Sequence, residues 1–405
     1  MDSDRSLAAL RRHRLALFAT STLTGFGIAS WVTRTPAVRG ELGASIATMG
    51  IVLFGLSVGS MLGILGAGAL IRRLGTRPLV LLGGGLPVLG MLLVGLLAPH
   101  QASVGVWAGL FLIGAGAGAA EIGLNVEAAA VERALERPVI PVLHACFSLG
   151  TVIGGAVGIA VTAAHVPVAV HLPLAAVVMA GLALVAVVNL RPLPRAVDAD
   201  AAPAAPGSDR SRSRARSVLT FQVALLAVVV LAMAFAEGAA SDWLPLLVTA
   251  DHDASEVLGS LVFTGFALAM LVGRSSGTPL VRRFGRASVL RACAVVGLVG
   301  VLGVVFSPTP VVAAVAAGVW GLGIALGFPL AISAAGDHPT DGDRRVSLVA
   351  IAGYVAFLVG PPALGFLGQH LGLRPAMLVP AALLAVALVA ASAAAPRRVA
   401  GPATG

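Results

Sequence analysis

The chain has 405 residues, of which 58% are hydrophobic and only 11% charged, with a formal net charge of +9. So little charge cannot cover the surface of a water-soluble domain of this length, which excludes a soluble enzyme or binding module. The 27 basic residues are all arginine and sit in short segments between apolar runs, a distribution that argues against a nucleic-acid partner and for a lipid bilayer.

Met1 to Arg14 is a basic leader without a small-residue cleavage site, and it reads as the start of a signal anchor that stays in place. Apolar runs near 20 residues follow, long enough at ~1.5 Å per residue to cross ~30 Å of hydrocarbon. They predict helices over 15–35, 46–71, 78–98, 103–131, 140–164 and 170–190. Residues 191–217 are rich in Pro, Ala, Asp, Arg and Ser, lack apolar periodicity and predict a disordered linker. Six more runs predict helices over 218–243, 255–281, 287–306, 309–335, 346–369 and 374–395. The expected fold is an all-α membrane protein of twelve transmembrane helices. Residues 1–190 form one six-helix bundle, 191–217 the linker and 218–405 a second six-helix bundle.

Orientation follows from the arginines. With the amino terminus inside, Arg34, Arg39 and Arg374 fall in outer loops, Arg274 falls within a helix, and all the others are cytoplasmic. Both termini and the linker are therefore expected on the cytoplasmic side of a cytoplasmic membrane.

The two halves repeat. Gly63 to Pro78, between predicted helices two and three, reads GILGAGALIRRLGTRP; Gly273 to Ser288, between helices eight and nine, reads GRSSGTPLVRRFGRAS. Arg72-Arg73-Leu74-Gly75 and Arg282-Arg283-Phe284-Gly285 share Leu-x-Arg-Arg-x-Gly at a spacing of about 210 residues. Internal repeats in a membrane protein point to two bundles packed about a central path.

Gly68 to Arg77 resembles the loop motif of the major facilitator superfamily, roughly Gly-x-Leu-x-Asp-Arg-x-Gly-Arg-Arg. Six plus six helices, a long central loop and a second copy of the motif extend the resemblance over essentially the whole chain. It departs where the family has aspartate and this chain has Arg72 and Arg282. That acid helps latch the family's cytoplasmic gate, so the resemblance implies a latch built from other carboxylates. Further likeness, in Arg34-Thr-Pro-Ala-Val-Arg39, Glu121-Ile-Gly-Leu-Asn125, Val131-Glu132-Arg133, His144-Ala-Cys-Phe-Ser148-Leu-Gly150, Gly353-Tyr354 and Gly360-Pro-Pro362, is to the fucose-permease-like branch and its bacterial inner-membrane relatives. Fucose permeases also carry an acid in helix one, and Leu15 to Thr33 has none. The resemblance implies a secondary active transporter of the major facilitator fold, proton-coupled, for a sugar or related small polar molecule. Drug or metabolite export is the alternative on the same fold, and a sensor or channel-like protein the alternative of another class.

Ionisable groups inside a span cost several kcal/mol and need a reason. At 100° per residue, Glu121, Asn125 and Glu132 of helix four fall within about 40° of one another while Glu127 points elsewhere. Glu121 lies ~21 Å along the axis from Trp107, near the midplane. Glu121 and Asn125 are the candidate substrate and proton-coupling pair, with a structural helix–helix polar contact as the alternative reading. Glu132, at the cytoplasmic mouth, is the expected gate partner of Arg72 or Arg73 when the inside is closed. His144 and Ser148 share a face of helix five and suit either proton handling or packing. Tyr354, the only tyrosine, suits cavity lining or packing. Arg274 should face protein or a water-filled path. Arg34 opposes Glu237 and Asp242 near the outer ends of helices one and seven, as an outer gate or as separately solvated charges.

No nucleophile elbow occurs. The chain has no Gly-x-x-x-x-Gly-Lys-Ser/Thr loop and no lysine, and Cys146 and Cys293 fit no metal or redox spacing. The reading is a monomeric, non-enzymatic carrier without cofactor or metal, whose partners are a small-molecule substrate, protons and the bilayer.

Overall fold

A computed structural model describes residues 2–190, 220–251, 254–338 and 341–394. The predicted linker and the last residues lie outside that set. Among the described residues, twelve helices are long and apolar enough to cross a membrane. They are α1 (Ala8–Val32), α2 (Ile46–Leu74), α3 (Arg77–His100), α4 (Ser103–Leu135), α5 (Ile140–Ala163) and α6 (Val168–Asn189) in the first half. The second half has α7 (Phe221–Asp251), α8 (Glu256–Ser275), α9 (Arg286–Phe306), α10 (Pro310–Gly336), α11 (Arg344–Leu371) and α12 (Leu373–Ala394). The chain is an integral, multi-pass all-α membrane protein of two pseudo-symmetric six-helix bundles.

The ends are set by local chemistry, and the repeat extends to them. Ser45 caps α2 by accepting from the Thr48 amide at 3.1 Å, and Ser255, at the repeat-equivalent position, caps α8 by accepting from the Leu258 amide at 3.3 Å. Gly75 and Gly285 close the two arginine motifs with φ of +83° and +78°, a conformation that disfavours any side chain. The main departures from the expected boundaries are five. The first helix begins at Asp2, because the basic leader continues the helical turn. A short helix, Thr35–Leu42, follows α1. The seventh helix runs on to Asp251, and the eighth stops at Ser275, with Gly277–Phe284 a separate helix. The tenth is interrupted between Ile324 and Gly327.

Within a bundle, helices approach so closely that backbone meets backbone. Gly55, Gly59 and Gly63 of α2 lie against the carbonyls of Trp107, Phe111 and Ala115, and Gly114 and Gly118 of α4 lie against those of Leu56 and Ser60. Lipid tails supply no hydrophobic drive for helix pairing, so this close packing is what holds the crossing together.

Between the bundles the contacts are one-sided. Ser260 Oγ on α8 donates to the Thr33 carbonyl at 3.0 Å, and the Ala47 amide donates to Gln369 Oε1 at 3.3 Å. Gly50 on α2 meets Gly365 on α11, with the fully buried Trp243 of α7 against both. All of these lie at the arginine-poor end. At the other end Arg72, Arg73, Arg282 and Arg283 are exposed. The bundles are sealed at one end and parted at the arginine-rich end.

Candidate functional site

The helix α7 runs between the bundles, and from Ala232 to Val248 every residue is buried except Glu237, Ser241 and Asp242. The only positions of that stretch left open are therefore polar. Glu237 Oε1 accepts from Arg274 Nη2 on α8 at 3.0 Å. With side chains 25% and 50% exposed, the pair is in contact with open space rather than locked in a core.

Opposite, on α4, Glu121 is exposed although its neighbours Ala119, Ala120, Gly123 and Leu124 are buried. Asn125 Nδ2 donates to the Glu121 carbonyl at 2.7 Å and to its Oε1 at 3.2 Å. Helical spacing placed these two on one face, and the structure brings them together. Tyr354 of α11, in the other bundle, is half-buried and feels the charge of Glu121, so polar groups of both bundles come within range of one another along this polar wall. Such a wall can exchange a proton at a carboxylate and offer amide, hydroxyl and guanidinium groups to a polar solute.

His144 is exposed near the start of α5, and its carbonyl accepts from Ser148 Oγ at 3.1 Å. That bond ties Ser148 to its own helix rather than to the imidazole. His144 and Tyr354 stand at repeat-equivalent positions, each three residues before a phenylalanine, Phe147 or Phe357.

The expected latch belongs to a state closed at the arginine-rich end, and this conformation is parted there. Glu132 Oε2 accepts from the amides of Val139 and Ile140 at 2.7 and 3.1 Å, and so caps α5 instead of pairing with Arg72 or Arg73 in this conformation. The motif loop is held by a residue that sequence reasoning set aside. The Thr76 hydroxyl, next to Gly75, donates to Glu127 Oε1, and Glu127 Oε2 meets His13 Nε2 at 2.9 Å. In the second half Arg286, next to Gly285, bonds Asp337 at 2.5 Å. Both bonds span 51 residues. Adding the motif offset to Glu127 lands on Asp337, and that arithmetic was the available signal.

The outer pairings also differ. Glu237 is engaged by Arg274, and Arg34 is 4% exposed and turned elsewhere. Its Nη1 donates to Thr162 Oγ1 at 3.0 Å and its Nη2 to the Val166 carbonyl at 2.7 Å. Burial lowers the pKa of the guanidinium, opposed by Glu256 across the seal and by Glu41. Burial in turn raises the Glu41 carboxyl above its ordinary range, opposed chiefly by Arg34. The acids facing Arg34 are thus Glu256 and Glu41, on segments where the sequence carries no motif. Asp242, on α7, is half-buried.

Comparison with known proteins agrees with this architecture. The family model of the Major Facilitator Superfamily matches residues 3–133, 139–341 and 226–404. An uncharacterized transporter of Sinorhizobium fredii is 29% identical over 87% of this chain and 90% of its own length. An uncharacterized MFS-type transporter of Yersinia pestis is 27% identical over 88% of each. Among solved structures, the nucleoside transporter NupG superposes with a TM-score of 0.72 at 14% identity, over 94% of this chain and 98% of that one. The transporter FucP, in its outward conformation, gives 0.63 at 19% identity over 95% and 99%. At such identities the structural likeness speaks for the fold alone. With two sealed-and-parted bundles, a doubled arginine motif and family matches that together reach from end to end, the chain belongs to the major facilitator superfamily.

Proposed function

We propose that the protein is a proton-coupled secondary carrier that moves a small polar solute across the bacterial cytoplasmic membrane by alternating access. It acts as a monomer, with both termini and the linker on the cytoplasmic side. The observation that carries this reading is Glu121, a mid-helix carboxylate bonded to Asn125 and open to the space between the bundles, with Tyr354 opposite. A charged carboxylate is costly to enclose, so proton uptake at Glu121 would release the loaded carrier to reorient. Asn125, Tyr354, Ser241 and the Glu237–Arg274 pair would orient the solute. The polar character of this wall fits the cargo named for structural neighbours, a nucleoside transporter, a fucose:proton symporter and a D-xylose-proton symporter.

Thermal-shift screening of the purified protein against sugars, sugar acids and nucleosides would first supply a ligand, since a ligand stabilises the state it binds. In proteoliposomes, Glu121→Gln should abolish proton-driven accumulation and preserve solute exchange, because a permanently neutral side chain imitates the protonated carrier. Accumulation by Glu121→Gln with wild-type pH dependence would refute the assignment and move attention to His144. Drug or metabolite export would show instead as proton-driven efflux lost in the same variant.

A further inference from the structure

The two halves hold their motif loops by the same bond with different chemistry. In the second half a permanent cation, Arg286, meets Asp337. At the equivalent place in the first half stands Thr76, which has no charge to offer Glu127, and the cation-capable partner comes from another helix, His13 of α1. The first-half cluster is enclosed, with side chains of His13 and Glu127 only 1% and 9% exposed, whereas Asp337 is 59% exposed. A buried carboxylate needs a counter-charge or several donors to remain a good acceptor. The loop hydroxyl alone is a weak partner for it.

We propose that His13 is a positioning residue that takes the place of the missing arginine, neutralising Glu127 so that its carboxylate retains Thr76 and holds the first arginine-motif loop in place. Of the two cation types, histidine changes charge near neutral pH while arginine does not. The first loop is therefore tethered in a pH-dependent way and the second is not. Other ionisable groups on the elements packed against this end of α1 are Arg77 on α3, Glu132 and Arg133 on α4 and His144 on α5, with Arg11, Arg12 and Arg14 on α1 itself. On α6 the one ionisable group is His171, at the far end. Arg11, Arg12, Arg77, Arg133 and His144 are exposed, and Glu132 is committed to the α5 amides. Glu127 reaches the His13 ring by a direct bond.

The test is limited trypsin digestion of the full chain in detergent, comparing cleavage after Arg72 and Arg73 with cleavage after Arg282 and Arg283 in the same sample. The second loop is an internal standard that cancels the pH dependence of the protease, and cleavage follows local opening. In the wild type the ratio should rise several-fold as the pH is raised and the His13–Glu127 pair gives up its proton. His13→Gln should hold it at the high value throughout, and adding Thr76→Arg should return it to the low value with no pH dependence. Thr76→Arg alone should flatten the profile of an otherwise native chain, which keeps the test decisive if His13→Gln fails to fold. A wild-type ratio constant with pH, or a Thr76→Arg profile still as steep as the wild type, would overturn the proposal.

Discussion

Replacing Gly365 by alanine should drive the protein toward the conformation open at its arginine-poor end. A Cβ at Gly365 would stand 2.8 Å from the Gly50 Cα and 3.2 Å from both the Ile46 carbonyl oxygen and the Trp243 ring. The reciprocal Cβ at Gly50 would stand 2.9 Å from the Gly365 Cα and from the Pro361 carbonyl oxygen. Backbone on the opposing helix cannot rotate away as a side chain can, so the bundles must separate by some tenths of an ångström. Overpacking of this kind costs about 1–3 kcal/mol. The cost falls only on the state in which the seal is shut, so the ratio of open to shut should rise by roughly 5- to 150-fold. The readout needs no substrate. In a background with Cys146→Ser and Cys293→Ser, a cysteine introduced by Ser241→Cys lies on the open face of α7, two residues before the sealing Trp243. Its labelling by a membrane-impermeant maleimide applied at the arginine-poor side should accelerate in Gly365→Ala and in Gly50→Ala. Gly66→Ala, where an added Cβ meets nothing within 4 Å, should leave the rate unchanged. Equal rates in Gly365→Ala and its parent, or an equal rise in Gly66→Ala, would refute the steric argument.

Glu132→Ala should destabilise the start of α5, since two backbone amides lose their acceptor, and should raise hydrogen exchange at Val139 and Ile140. A double-mutant cycle on Glu237 and Arg274 should give a coupling of at most about 1 kcal/mol in thermal stability, because the pair is substantially exposed. Glu41→Gln should gain thermal stability over the wild type as pH rises through and above the ordinary carboxylate range. A raised folded-state pKa means that the unfolded chain gives up this proton first, so ionisation there favours unfolding. A variant that instead loses ground with rising pH would show that attraction to Arg34 outweighs burial.

The helix count, the bundle division and the Glu121–Asn125 pairing were legible because they follow from local rules. Span length is a property of consecutive residues, and a four-residue spacing places two side chains on one face whatever surrounds the helix. The gates were less legible. Arg34 was matched to Glu237 and Asp242 by helix number, yet Glu237 is met by Arg274 and Arg34 by the α5–α6 connection and the field of Glu256 and Glu41. A long arginine side chain reaches several helical turns, so one-dimensional placement leaves its partner open. Glu132 was read as a latch because acids near arginines suggest ion pairs. The stronger demand came from the unsatisfied amides at the next helix start. Glu127 was set aside as pointing away from the path, and pointing away is what lets it hold the motif loop from within its own bundle.

The unequal distribution of close contacts fixes how this molecule can move. Glycine crossings clamp helices inside each bundle, while the bundles touch each other chiefly near Gly50 and Gly365. That contact is a fulcrum and the rest of α2 a lever: from Gly50 to Arg72 the helix extends about 33 Å at 1.5 Å per residue. A rigid tilt of roughly 20° about the fulcrum sweeps Arg72 through some 11 Å, about the diameter of one helix. Groups within ~2 Å of the fulcrum shift by less than an ångström during the same stroke, enough to loosen the close contact of the glycine pair by some tenths of an ångström yet little beside the travel of the distant arginine loops.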